Sequence, residues 1–281
     1  MNQLLAILLL ALCIPVVGQT STGQASPPPG ASTSSPSTSP ASTSPVAQAN
    51  ALKARTLLND AIAALGGEAY LNIQDISQQG RTYSFHLGQP NSAGLEFWRF
   101  YKYPDKDRYE LTKQRDVVEL YNGDKAIEIT YKGARNQDAK DVASYQKRRP
   151  YALDWVLRHW LTQPGIALFY EGQTVAEGKN VDQITIMNAQ DDAITIYLDV
   201  DTHLPVKKSF SWRDPTDKQR NVEEESYDNY RPTQGIMTPY TVTRYYNGDM
   251  SNQRFLSLVQ YNQNLSDSLF DPSQTSLPKK K

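Results

Sequence analysis

The side chains of this chain that could do acid–base, nucleophilic or metal chemistry are few and scattered. Its three histidines are His86, His159 and His203. None has the i, i+4 spacing of a helical metal site and none has a cysteine partner, so each reads as a surface or turn residue. Acidic groups gather as Asp191-Asp192, as Asp199 with Asp201, and as Glu223-Glu224-Glu225. Asp199-Val200-Asp201 alternates carboxylates as some calcium loops do. Thr202-His203-Leu204-Pro205 then continues it as a plain turn, without the remaining calcium ligands. No Gly-x-Ser-x-Gly elbow, phosphate-binding loop or dinucleotide fingerprint occurs. The single cysteine, Cys13, lies in the N-terminal apolar run, so removal of that run removes any cysteine nucleophile. A glycosidase-type pair of carboxylates can be distant along a chain, and nothing singles one out. The expectation is a non-catalytic protein without metal or organic cofactor.

Aromatic residues carry the stronger signal: the chain has 17 tyrosines and 4 tryptophans. Between Leu95 and Tyr103 both alternating faces are aromatic, with Phe97, Trp98, Phe100, Tyr101 and Tyr103. Two readings fit: a core packed on both faces, or an apolar cavity walled by one face of a sheet.

The elements that must position these residues are mostly strands. From Ile194 to Phe270 apolar and polar residues alternate at period two between explicit turns, including Leu204-Pro205, Gln234-Gly235 and Asn247-Gly248. The same pattern runs from Ile76 to Tyr131, where Asn122-Gly123 supplies the positive φ of a tight hairpin turn. Ala47 to Leu65 reads as a helix with Leu58, Ala61, Ile62 and Leu65 on one stripe and Gly66 as its C-cap. Residues 137–163 interrupt the strands with helix broken at Pro150. Its second part carries Leu153, Val156, Leu157, Trp160 and Leu161 on one face. The fold class expected is mainly β (α+β), a curved antiparallel sheet of roughly ten or eleven strands with helices against it.

Leu4 to Val17 is too short an apolar run to span a bilayer, and Val16-Val17-Gly18 has signal-peptidase spacing. Residues 1–18 are therefore expected to be a signal peptide, with lipidation at Cys13 as the less favoured alternative. Residues 19–46, rich in Ser, Thr and Pro, form a spacer with too little apolar surface to fold. A domain over 47–272 follows, then a basic tail over 273–281. A net charge of -1 excludes nucleic acid as an expected partner. The clusters Lys147-Arg148-Arg149, Lys207-Lys208 and Lys279-Lys280-Lys281 read as solvated surface or weak contacts with anionic lipid.

The turn Leu198-Asp199-Val200-Asp201-Thr202-His203-Leu204-Pro205-Val206 resembles the Leu-Asp…Thr-Gly-Leu-Pro hairpin of the lipoprotein carriers LolA and LolB. Tyr227-Asp228-Asn229-Tyr230-Arg231-Pro232, with Gly235 to Pro239, resembles the strand pair that comes next in that superfamily, and Ala64-Leu65-Gly66-Gly67 its opening helix. His203 departs from the pattern by standing where the family has glycine, and no arginine matches the family's functional one. The resemblance implies an unclosed antiparallel barrel whose helices plug the concave face and whose hollow receives acyl chains. On that reading the partner is a lipid or acylated protein in the periplasm or envelope. The tether or basic tail can also touch a membrane surface.

The cavity wall is then expected at Phe97, Ile127, Ile129, Ile184, Ile186, Phe210, Trp212, Val242 and Tyr246. The lid is expected at Leu153, Val156, Leu157, Trp160 and Leu161. A one-residue slip in register exchanges every wall residue. Two other readings stay open: an envelope interaction or stress-sensing module with a filled core, and a hydrolase of envelope polymers.

Overall fold

The structure, a computed structural model, describes residues 44–277. The proposed signal peptide, nearly all of the spacer and Lys279 to Lys281 lie outside the described residues. Helix α1 (Pro45–Leu65) and the short α2 (Glu68–Leu71) precede a first meander: β1 (Asp75–His86), β2 (Gln89–Pro90), β3 (Leu95–Lys102), β4 (Lys106–Leu111), β5 (Val117–Asn122), β6 (Lys125–Thr130) and β7 (Gly133–Asn136). Helices α3 (Ala139–Arg148) and α4 (Leu153–Arg158) then cross to a second meander. It comprises β8 (Ala167–Ala176), β9 (Lys179–Met187), β10 (Ala193–Asp199), β11 (Pro205–Arg213), β12 (Arg220–Thr233), β13 (Ile236–Tyr246) and β14 (Asp249–Tyr261).

All pairings are antiparallel in one curved, unclosed sheet of 14 strands, ordered β7-β6-β5-β4-β3-β1-β14-β13-β12-β11-β10-β9-β8, with β2 on β1. The two meanders join where β1 meets β14, Ile76 opposite Tyr261. Strands β7 and β8 are the free edges, and the α3–α4 crossover carries the chain between them. The strand count exceeds the expected ten or eleven, in part because β2 and β7 are too short for alternation to register.

Local chemistry shapes the joints. A Cβ on Gly66 (φ 128°) would lie 2.5 Å from the Gly235 carbonyl oxygen, so glycine lets the end of α1 touch the β12–β13 turn. His203, at the position where the carrier family has glycine, holds the left-handed backbone (φ 58°) that glycine favours. Asp199 Oδ1 accepts from the backbone N–H groups of Asp201 and Thr202 at 3.0 and 2.9 Å, so this carboxylate serves the turn.

Helix α1 buries Ala54, Leu58, Ala61 and Leu65 against the inner face of the second meander. Ile62, expected on that stripe, packs at its margin. Beneath α1 lie Ile184, Ile186, Ile194, Ile196 and Leu198, joined from α4 by Val156, Leu157 and, just beyond it, Trp160. Each large aliphatic group so buried stabilises by roughly 1.5–3 kcal/mol. Arg158 donates to the carbonyls of Leu71 (3.1 Å) and Ile73 (2.6 Å), and Arg55 to that of Leu161 (3.1 Å). The second half of the crossover is therefore fastened to the helical layer.

On the outer face of the first meander, Val118, Leu120 and Ile129 form a small separate core with Ile127 and Leu277. Arg108, paired with Glu110 at 2.7 Å, donates to Leu269 O (2.8 Å) and Thr275 Oγ1 (2.9 Å). The chain up to Leu277 thus docks onto the sheet, so the part of the expected tail from 273 to 277 belongs to the folded domain.

Candidate functional site

A cavity of about 480 Å³ lies between the inner face of the sheet and the first half of the crossover. Strands β1, β3–β5 and β11–β14 wall it, and α3 with residues 149–154 covers it. Apolar side chains reach it from several elements, among them Leu65, Ile73, Ile76, Phe210, Ile236 and Val242. Tyrosines are as prominent: Tyr101, Tyr103, Tyr109, Tyr121, Tyr145 and Tyr227 all contribute. Tyr121 and Tyr145 stack at 4.0 Å, binding α3 to β5.

Of the expected wall, Phe210 and Val242 line the cavity, and of the expected lid, Leu153 does. Trp212 and Tyr246 share that inner face by alternation but sit beyond the cavity lining. Lys147 Nζ lies 3.0 Å from the Trp212 ring centroid, and the Tyr246 hydroxyl donates to Asn221 Oδ1 at 2.7 Å. Phe97 is buried on the inner face in the row of Arg99 and Tyr101, opposite Gly80. Ile184 and Ile186 are sealed in the core beneath α1. Ile127 and Ile129 pair with Leu120 and Val118, putting them on the outer face, opposite Glu119 and Tyr121. Val156, Leu157 and Trp160 are core residues and Leu161 packs against them, so this stretch seals one end of the hollow.

The sequence reading missed the charged wall. Lys208 (β11), Glu225 (β12) and Arg244 (β13) oppose one another in adjacent strands, with Arg254 on β14 beside them. Glu225 receives Lys208 Nζ at 3.4 Å, Arg244 Nη2 at 3.4 Å and Arg254 Nη2 at 3.2 Å, and Tyr227 donates its hydroxyl at 2.9 Å. Burial alone pushes the Glu225 carboxyl up; the three cations and the hydroxyl outweigh it and hold it well below the usual carboxylate range. Burial in turn pulls Lys208 and Arg254 down. Lys208 also donates to the Tyr151 carbonyl at 2.6 Å.

Two further ion pairs stand apart from this cluster. Arg99 clamps the fully buried Asp107 through Nε (2.9 Å) and Nη2 (2.8 Å), and Tyr145 adds a hydroxyl at 3.1 Å. Arg149 lies 3.6 Å from Asp154, donates to the Tyr101 hydroxyl and faces the rings of Tyr101 and Trp155 at 4.6 and 5.1 Å. Tyr103 also donates to Asp154. Burial raises Asp154, and Arg149 with the Tyr103 hydroxyl overcomes this to lower it. Burial likewise keeps Tyr103 and Tyr227 neutral far above their ordinary range, so they remain O–H donors. Glu119 is the exception among the carboxyls: burial, then Glu128 and Asp141, push it up to about 7.

A signal for this wall was present. Arg99-x-Tyr101-x-Tyr103 and Glu223-x-Glu225-x-Tyr227 are period-two rows. Alternation alone does not say that these rows share one face of the sheet, or that this face looks into a hollow. Here Lys208, Arg148 and Arg149, expected as solvated surface, line the cavity.

No protein-family profile matches the chain, and no curated protein matches it. Solved structures do. A DUF1329 family protein from Desulfovibrio piger is 13% identical over 78% of this chain and 98% of its own, with a TM-score of 0.55. An outer membrane lipoprotein-sorting protein domain from Vibrio parahaemolyticus is 12% identical, covering 80% and 98%, with a TM-score of 0.51. A LolA superfamily protein from Nitrosomonas europaea is 11% identical, covering 78% and 97%, with a TM-score of 0.47. An unclosed antiparallel sheet around a helix-covered hollow is the class of architecture that the geometry defines. The chain has a LolA-like fold.

Proposed function

We propose that this chain is a non-catalytic binding or carrier protein that holds an acyl chain, a lipid or a lipidated protein in the cavity. The observation that supports it is the cavity itself, about 480 Å³ with apolar, tyrosine and arginine walls on one side of an otherwise sealed half-barrel. That volume falls in the roughly 300–1,000 Å³ range of small-molecule pockets. Affinity comes from apolar contact, about 0.8 kcal/mol per buried methylene, with tyrosine hydroxyls and cations orienting the polar end. Three carboxylates around the cavity support a non-catalytic role, since Asp107, Asp154 and Glu225 are each committed to cations or hydroxyls within the protein. Residues 1–18 would direct export to the periplasm or envelope, and the Ser/Thr/Pro-rich stretch would space the domain from its exit point.

Native mass spectrometry of the full chain purified from a bacterial envelope tests this reading. A discrete added mass of a lipid or acylated peptide is expected, and Val242→Trp, which fills the cavity from β13, should abolish it with thermal stability retained. A ligand-free protein that takes up no fluorescent fatty acid would sink the proposal. One observation favours the interaction-module reading: Phe255 (42% exposed) and Leu258 (48% exposed) stand on the outer face, with Tyr83 edge-on to Phe255 at 5.9 Å. Phe255→Lys separates the two readings, because it should leave lipid uptake unchanged.

A further inference from the structure

Charge is unevenly compensated around the cavity. Arg99 has Asp107 and Arg149 has Asp154, one carboxylate for each cation. In the row across β11 to β14, Lys208, Arg244 and Arg254 share Glu225 alone. Arg148 reaches the cavity from the last residue of α3. It is bonded to the Ser144 hydroxyl, and among the described residues no carboxylate forms an ion pair with it. Glu223 is the neighbouring inner-face carboxylate felt by Arg148, and it too forms no ion pair among the described residues. Four cations thus face two carboxylates, an excess of two positive charges beside a hollow. Buried charge without a counter-charge is costly, and an anion that enters removes the cost.

We propose that the face formed by Arg148, Lys208, Arg244 and Arg254 around Glu225 is a head-group subsite that takes a phosphate carried on the ligand of the cavity. The assignment rests on the ligand-binding reading above and narrows it to acidic amphiphiles. A phosphate brings about −1 to −2 charge and several strong acceptor oxygens, matching the local excess. Arginine forks on adjacent strands offer it paired N–H donors, while the apolar surface of Ile236, Val242 and Phe210 takes the hydrocarbon. Burial of Arg148 and the like charge of Arg244, opposed by Glu223, lower its guanidinium, the direction expected of a cation waiting for an anion.

The test offers the full chain equal amounts of phosphatidic acid and diacylglycerol with identical acyl chains, which differ only in the phosphate, and reads bound lipid by native mass spectrometry. Inorganic phosphate is titrated separately by calorimetry. The expected result is a preference for phosphatidic acid of about tenfold or more, the scale of one or two charge-assisted hydrogen bonds. Arg148→Gln should reduce that preference to about threefold or less with the thermal midpoint unchanged, whereas Phe255→Lys on the outer face should leave the preference intact. Arg254→Gln, which leaves Glu225 two cations, is the second variant and should act in the same direction. Equal binding of both lipids overturns the head-group subsite while the binding function stands. Binding of neither lipid overturns both. Binding of free phosphate alone, lost in Arg148→Gln, overturns the lipid assignment and leaves a small-anion site.

Discussion

The two halves of the inner face are built by the same alternating strands and end in opposite states. Under α1 and α4 the second meander presents Ile184, Ile186, Ile194, Ile196 and Leu198, and the space is closed. Between β3 and β5 and along β12 to β14 the same face presents tyrosines, arginines and carboxylates, and the space stays open. The amphipathic stripe of α1 needs an apolar counterpart, whereas α3 buries no residue and brings Tyr145 and Arg148 to the sheet. What covers a face decides whether it becomes core or cavity. The sharpest way to break this contrast is one substitution made in both halves. Ile196→Asp places an unpaired carboxylate in a fully closed core and should destabilise the fold by more than about 4 kcal/mol. Val242→Asp, on the cavity wall near Arg244 and Arg254, should cost less than about 1.5 kcal/mol, because counter-charges are at hand and the cavity leaves room for the carboxylate. Urea denaturation of both variants decides it; equal losses would mean the cavity half is packed as tightly as the other.

A second contrast lies within the charged half, between one-to-one pairs and the shared carboxylate. Removing Glu225 leaves three cations facing one another, and Glu225→Gln should cost about 3 kcal/mol at neutral pH. The sign with pH follows from the carboxyl being held below its ordinary value of 4.5. Its stabilisation is full above pH 4.5, where the unfolded chain is also ionised, and fades as the pH falls toward the folded value. The variant should therefore lose the part of the acid sensitivity that lies below pH 4.5, while above it the deficit stays constant. A deficit that shrinks from pH 6 to pH 8 would contradict the arrangement.

How much of this could be read beforehand depended on whether the deciding partner was local. The α1 stripe, the Asn122-Gly123 and Asn247-Gly248 turns and the break at Pro150 are short-range signals, and each element stands within a few residues of its expected place. The resemblance carried by the Asp199 turn and the Tyr227 strand pair reached the fold. The site was poorly legible because alternation gives two faces without saying which one is inside. Ile127 and Ile129 read as wall for that reason, yet lie outside under Leu277, a residue about 150 positions along the chain. Lys208 read as surface because its partner Glu225, which Arg244 and Arg254 also hold, comes from a strand whose register is set only by the finished sheet.

Glu119 sharpens the comparison from the opposite direction, being a cavity carboxyl with acidic neighbours where Glu225 has basic ones. Burial first, then Glu128 and Asp141, raise it to about 7 from 4.5. Below pH 4.5 it is neutral in both states and contributes nothing. Between 4.5 and about 7 the unfolded chain releases the proton while the folded one keeps it, so stability falls as pH rises. Glu119→Gln should remove that slope, gaining roughly 1–2 kcal/mol over the parent above pH 7 after allowance for partial solvation, and nothing at pH 4. Thermal midpoints across that pH range would show it, and parallel curves would refute the raised carboxyl.

The smallest expected effect concerns the two free edges. Strand β7 is four residues long and wholly exposed, too short to template another chain. Strand β8 is ten residues long and would be a hazard without a cover. Asn50 of α1 covers it at one point: its amide donates to the Tyr170 carbonyl and accepts from the Tyr170 N–H, both at 2.8 Å, as a partner strand would. A register shift between Tyr170 and Gly172 follows directly. Beyond it Val175 is 67% exposed, so the protected stretch is short and the bulge is what keeps the rest of the edge from being a flat template. Asn50→Ala should cost about 1 kcal/mol and speed hydrogen exchange at the Tyr170 amide by about fivefold or more. It should also make the protein associate in a concentration-dependent way in sedimentation. Faster exchange without association would mean that the bulge alone guards the edge, and unchanged exchange would mean that the Asn50 contact does not seal it.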